Sequence, residues 1–327
     1  MNIVFLTGHR KSGTTMLHRL FDGHPDALVY PCDLAFLYAY FPCFATRNCD
    51  SLTLRQRLAG ILRASLGPYD GKSPTAGAKP IDVDAFTAEV LEMLSDVQLL
   101  RRSDVMQAVL STFIALSGKH QKAVLFVKET SQTIFSDQID PRQSMRFLQV
   151  IRDPRDNYAA ISAGVESYYS KIGEDHRESL ASVINRARMD LLIASQRSRA
   201  VSNDFHAVRF EDLVLNPSKT MRRLADWIGI EFYPSLLSPT RFGEVFSGNS
   251  HDGDSLHGIS TNNVGRWSER IAEAEIGVIE FWLRDVMNDW GYQTSLPAET
   301  AAAHFAQFYD WYNCRYFYAD SFASKLP

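Results

Sequence analysis

Cysteine is scarce in this chain: Cys32, Cys43, Cys49 and Cys314 are the only four among 327 residues. None belongs to a CxxC pair, which excludes a redox motif or a thiolate zinc cluster. Ordinary free thiols in a reducing compartment are expected, with a local Cys43–Cys49 bridge as the alternative. The nine histidines show no HxxxH or HExxH spacing, so no metal is expected. No run of about eighteen apolar residues is found, and the first strand begins at Asn2 or Ile3 with no room ahead of it for a signal peptide. A soluble, cytoplasmic protein without a membrane partner is expected. Neither sign of charge dominates, since 34 Lys and Arg stand against 38 Asp and Glu. General attraction to nucleic acid is therefore excluded, and any anion site has to be a local concentration of basic residues. Internal repeats and low-complexity tracts are absent too.

What is present is enough apolar sequence, 45% of the chain, to bury a sizeable core. The segment "NIVFLTG" ends in glycine, and Leu17, Leu20 and Phe21 follow at helical spacing, which reads as strand, loop and helix. Near-continuous apolar runs at Ala123–Val127, Arg146–Ile151 and His206–Phe210 read as further strands, covered on both faces. Helices alternate with them. One has Asn216 as N-cap, Pro217 in the first turn and Gly229 after its end; another carries a stripe from Ile276 to Trp290. Alternating elements with a phosphate-type loop after the first strand predict an α/β fold, a doubly wound parallel sheet with helices on both faces. We expect a single domain over 1–295, with residues 51–119 as a helical cap insertion broken by a Gly/Pro/Lys-rich loop at Gly67–Pro80. The tail 296–327 is too aromatic for a disordered end and is expected to pack on the domain or on a partner.

The chemistry is concentrated in "TGHRKSGTT". Gly8 and Gly13 are spaced as in a P-loop, but Thr14 stands where that loop needs its lysine, and Lys11 lies inside the loop instead. Backbone N–H groups, with Ser12, Thr14 and Thr15 adding hydroxyls, suit a phosphate. Lys11 is placed to neutralise charge developing on a departing phosphate.

This pattern resembles the 5′-phosphosulfate loop of sulfotransferases that use 3′-phosphoadenosine 5′-phosphosulfate (PAPS). Three further segments, in the same order, strengthen the resemblance. Gln149–Gly164, "QVIRDPRDNYAAISAG", is similar to the strand that delivers an arginine, here Arg152, to the 3′-phosphate. Val208–Ile230 looks like the family's strand-to-helix segment, with Phe210 where an adenine-contacting tyrosine often stands. Asn262–Ile271, "NNVGRWSERI", looks like the nucleotide-covering loop, bringing Gly265 and Arg266. The resemblance implies a P-loop-like nucleotide site with Arg10, Lys11, Ser12, Gly13, Thr14 and Thr15 in the loop, and metal-independent transfer of a sulfuryl group to a hydroxyl or amine. The product nucleotide would be 3′-phosphoadenosine 5′-phosphate (PAP).

Ala160 replaces the hydroxyl residue that commonly follows the arginine, and Ser260, Thr261 and Asn262 replace a basic run before the tryptophan motif. The family's histidine base is absent after Lys128, where Glu129 follows. The carbohydrate- and protein-modifying branches match better, and they place Asp33 as the acceptor's base, with Glu129 the second choice. Asp33 equally suits a cap on a helix starting near Leu34. Lys128 is expected to orient the sulfuryl group or acceptor. A saccharide acceptor and a homodimer are left open, as are a non-catalytic PAP-binding role and a divergent phosphotransferase.

Overall fold

Residues Asn2–Gly8 form β1, the central strand of a five-stranded sheet in the order β2-β3-β1-β4-β5, every pairing parallel. Its neighbours are β2 (Ala27–Asp33), β3 (Val124–Lys128), β4 (Met145–Ile151) and β5 (Phe205–Arg209). The computed structural model describes residues 1–40, 50–75, 78–119, 122–130, 145–165, 171, 175–200, 203–246 and 258–316. Cys43, Cys49 and the aromatic residues Phe317, Tyr318 and Phe322 lie outside them. Cys32 is a free thiol.

Successive strand residues face two different cores. Ile3, Phe5, Leu125, Val127 and Phe147 enter one, and Val4, Leu6, Phe126, Leu148 and Val150 the other. Burial on both faces explains why these strands read as unbroken apolar runs. The second face is covered by α1 (Thr14–Leu20), α8 (Phe210–Leu215) and α9 (Pro217–Ile228). Over the first lie α2 (Ser51–Leu66), α3 (Val83–Glu92), α4 (Asp96–Leu99) and α5 (Arg102–Ser117), then α6 (Pro154–Ser162) and α7 (His176–Arg199). The short α10 (Trp267–Arg270) leads to α11 (Glu273–Asp289) and α12 (Ala298–Tyr316). The doubly wound α/β arrangement expected from the sequence is the one found.

Two details depart from the sequence reading. β2 does not read as a strand in the sequence, because Pro31 interrupts it and cannot donate to a ladder. As the edge strand it tolerates proline, and its register against β3 shifts between Val29 and Asp33. Asn216 stands at the start of α9 but makes no capping bond; Pro217 already lacks one orphan donor, and Thr220 Oγ1 donates to the Asp212 carbonyl at 2.8 Å. At the other end Gly229 takes φ 82° and its N–H donates to the Ala225 carbonyl, closing the helix as read.

Helix α12 packs against α11. Phe305 stacks on Phe281 and Trp282, with ring centroids 4.6 and 5.2 Å apart. The approach is close because position 277 is glycine: a Cβ there would lie 2.7 Å from the His304 ring. Among the described residues no helix is long and apolar enough to cross a membrane.

One buried ion cluster ties these layers together. Glu280 of α11 is fully buried and accepts from Arg155 Nη1 at 2.6 Å, from the Ser295 N–H and hydroxyl, and from the Leu296 N–H. Arg155 also donates to Asp153, which caps α6. Removing one partner of such a pair strands the other in low dielectric. Glu280→Gln should cost roughly 3 kcal/mol in urea unfolding, the low end for a broken buried pair because Asp153 still neutralises Arg155. A loss below about 0.5 kcal/mol, the scale of an ordinary surface substitution, would mean that Asp153 alone suffices.

Candidate active site

The C-terminal ends of the parallel strands converge around β1, flanked by β3 on one side and β4 on the other, where the winding reverses. Gly8 ends β1 at φ 149°, and any Cβ there would collide with the Val150 carbonyl on β4. The chain then turns, Ser12 N–H donating to the His9 carbonyl at 3.1 Å, and enters α1 through Gly13 at φ 98°. A Cβ on Gly13 would lie 2.5 Å from the Phe210 ring. Lys11 is in the left-handed region at φ 64°, a conformation that costs a side-chain-bearing residue of the order of 1–3 kcal/mol and persists only when neighbours impose it. Ser12 and Thr14 are buried, and the Ser12 hydroxyl has no hydrogen-bond partner among the described residues. Thr15 is half-buried in the first helical turn, whose N–H groups have no partner within the helix.

Arg152 holds this loop. Its Nη1 donates to the Lys11 carbonyl at 2.8 Å and its Nη2 to the Asn263 carbonyl at 2.6 Å, while its guanidinium lies 4.5 Å from the Phe210 ring centroid. Burial lowers its pKa, and Asp156, Glu211 and Asp153 oppose that shift; an arginine stays charged under such conditions. Asp156 reaches the other way, accepting from the Gly265 N–H at 2.7 Å and the Trp267 N–H at 3.0 Å. Burial raises the Asp156 pKa, partly offset by Arg152 and these two donors. Arg266 donates to the Asn263 side chain at 2.9 Å. The phosphate loop, the Arg152 segment and the 262–271 loop are therefore one bonded unit. Two features temper the sequence expectations: the Gly265 N–H is committed to Asp156, and Phe210 is buried against Gly13 and Arg152. Ser162, off the face of Ala160, instead bonds the His176 ring at 3.1 Å.

A second group sits one strand away. Lys128 ends β3 and Asp33 ends β2, and the two are register partners joined by an ion pair between Nζ and Oδ1. The lysine side chain is 4% exposed and the aspartate 40%. Glu129 is 1% exposed, accepts from the Thr130 N–H at 3.1 Å, and donates its own N–H to the Leu6 carbonyl of β1. No α-helix begins at Leu34; β2 runs through Asp33, and a short 3₁₀ segment follows at Ala35–Tyr40.

Sequence reasoning passed over His9, Asn157 and Asp156. Asn157 donates to the Arg10 carbonyl at 2.7 Å, and His9 Nδ1 donates to the same carbonyl at 2.9 Å. Burial pushes His9 down to about 4, so the ring is neutral. The signal lay in "RDPRDN", where a second acid and an amide follow the arginine at helical spacing.

A glycine loop at the end of a central parallel strand, backed by a buried arginine, defines an α/β protein built to hold a nucleotide phosphate. Residues 3–234 match the sulfotransferase family, and the chain belongs to that family. The sulfotransferase domain from the curacin biosynthetic pathway has a TM-score of 0.56 and 16% identity, covering 90% of this chain and 99% of that one. The sulfotransferase domain of the Synechococcus PCC 7002 olefin synthase has a TM-score of 0.52 and 18% identity, covering 91% and 96%. No curated protein sequence matches this chain significantly.

His9 makes stability depend on pH. Its pKa is about 4 in the folded protein against 6.5 for an ordinary histidine, so between these the unfolded chain binds more protons and stability falls as pH falls. The loss approaches about 1.4 kcal/mol per pH unit for each such histidine, and buried His18, also lowered well below its ordinary value by burial, adds its share. His9→Asn keeps a donor for the Arg10 carbonyl and should lower the slope of unfolding free energy between about pH 6.5 and 5 by up to about 1.4 kcal/mol per pH unit, the share of one histidine. An unchanged slope would show that His9 is not the neutral buried group inferred here.

Proposed function

We propose that the chain transfers a sulfuryl group from PAPS to a hydroxyl or amine of an acceptor, without a metal. The observation that carries this reading is Lys11, a lysine inside the phosphate loop, in a strained conformation with its carbonyl gripped by Arg152. The residues present suit the co-substrate. Side-chain-free Gly8 and Gly13, the Ser12 hydroxyl, without a partner among the described residues, and the N–H groups of the first turn of α1 make a donor cradle for a 5′-phosphosulfate. Arg152, whose Nε has no partner among the described residues, and Arg266 are suited to the 3′-phosphate.

Bound PAPS supplies the sulfuryl group, which passes to the acceptor while PAP departs. Lys11 stabilises the charge that grows on the departing 5′-phosphate, an interaction stronger in the transition state than before it. Asp33 takes the acceptor's proton. It is favoured over Glu129 because its carboxylate is accessible, whereas Glu129 is almost wholly buried. Lys128, held beside Asp33 by the strand register, orients the sulfuryl group or acceptor. Phe210 acts beneath the loop, fixing Gly13 and Arg152, in preference to stacking on adenine. We take residues 1–295 as the catalytic domain, with α12 as a brace upon it. A saccharide is one acceptor compatible with this arrangement.

The first experiment is calorimetry with PAP and, separately, with ATP and magnesium. Micromolar PAP binding without metal, and none for ATP, is expected; magnesium-dependent ATP binding with PAP ignored would return the protein to the phosphotransferases. With an acceptor in hand, Lys11→Ala should lower single-turnover transfer by about a hundredfold or more while PAP affinity changes little. Weakened PAP binding with an unchanged transfer rate would contradict the leaving-group role.

A further inference from the structure

A second cluster of cations lies beside the Asp33–Lys128 pair and is not used by the PAPS site. Arg19 projects from α1 and is 3% exposed. Its Nη2 donates to the Pro31 carbonyl at 2.6 Å, two residues before Asp33 on the same strand. Arg241 belongs to a small hairpin of β6 (Thr240–Arg241) and β7 (Glu244–Val245). Both guanidiniums share one ring, Arg19 at 5.9 Å and Arg241 at 5.0 Å from the Phe246 centroid. Arg241 also lies 5.7 Å from the Tyr69 ring, which is 5.6 Å from Phe242; Lys72 stands 5.9 Å from Phe242.

The hairpin is fixed where it is. Asp22 accepts from Thr240 Oγ1 at 2.6 Å and from the Gly243 N–H at 3.0 Å. Its two-residue turn places Phe242 at φ 56°, a left-handed conformation that bulky residues avoid unless their surroundings impose it. Two like charges are thereby held together, and the nearby carboxylate is already engaged. The Nε atoms of Arg19 and Arg241 are buried with no hydrogen-bond partner among the described residues. Burial, then the charge of Arg241, lowers the pKa of Arg19. The Arg19 bond to Pro31 holds the cluster against β2, the strand that ends at Asp33.

We propose that Arg19 and Arg241 bind an oxyanion carried by the acceptor, a carboxylate or a phosphate ester, with its apolar part against Phe242, Phe246 and Tyr69. The fork of a guanidinium matches both anions, and the aromatic wall excludes water that would screen the contact. The acceptor is thus an acidic hydroxyl or amino compound, and the anion fixes the distance to its reacting group. This inference rests on the sulfotransfer reading for what the cluster is for, but not for its ability to bind an anion.

The test is calorimetry on PAP-saturated protein, which blocks the phosphate loop, using phenyl phosphate, phenylacetate and uncharged benzyl alcohol as probes. One or both anions should bind at a single site while benzyl alcohol does not; phosphate alone would assign a phosphate ester, phenylacetate alone a carboxylate. Arg241→Ala, at a half-buried position, should weaken that binding about tenfold or more with PAP affinity unchanged, and Arg241→Lys should fall between. The proposal is overturned if neither anion binds at millimolar concentration, or if binding survives both Arg241→Ala and Arg19→Gln. Failure of PAP itself to bind would sink the sulfotransfer reading instead, and the same titrations on PAP-free protein would still decide whether Arg241 holds the anion.

Discussion

The guanidinium of Arg152 joins three pieces of chain that are far apart in sequence. It donates to the Lys11 and Asn263 carbonyls and faces Phe210, so the glycine loop, the 262–271 loop and the start of α8 share one buried charge. Such a charge is tolerable only among compensating groups. Asp153, Asp156 and Glu211 provide them, and each is itself fixed by other bonds: to Arg155, to the Gly265 and Trp267 N–H groups, and to the Asp153 N–H and Tyr292 hydroxyl. The charges of the site are therefore balanced collectively, and displacing one member would leave another without its partner.

This arrangement explains how a loop lacking the post-glycine lysine keeps its shape. A lysine in the left-handed region is unfavourable alone, and the Arg152 bond to its carbonyl offsets part of that cost. Asn157 and His9 converge on the preceding carbonyl, that of Arg10. Two successive carbonyls of the loop are thus held by buried side-chain donors.

Four of the five strands, and the two-faced sheet they form, were legible because apolar runs report burial on both faces directly. The fifth, β2, was hidden by Pro31, since edge position is a tertiary fact that no local pattern reveals. Arg152 and Lys11 stood out by residue type and spacing. Asp156 and Asn157 did not, because an acid and an amide in the first turn of a helix read as ordinary dipole partners, and their partners are loops more than a hundred residues away. Asp33 and Lys128 were each noticed, but their pairing depends on which strands are neighbours and in what register. The Arg19–Arg241 cluster was invisible for the same reason: its members come from a helix and a hairpin joined through Asp22.

The contact between Gly13 and Phe210 has a consequence for how this sequence can change over time. The two positions share a single volume, because a Cβ at 13 would lie 2.5 Å from the ring at 210. Substitution at 13 is opposed twice, by the ring and by a backbone φ of 98° that side-chain-bearing residues avoid, while a smaller residue at 210 would remove the face on which Arg152 rests. Glycine at 13 is therefore held by two independent constraints, so loss of the aromatic ring would relieve one of them and leave the other in force.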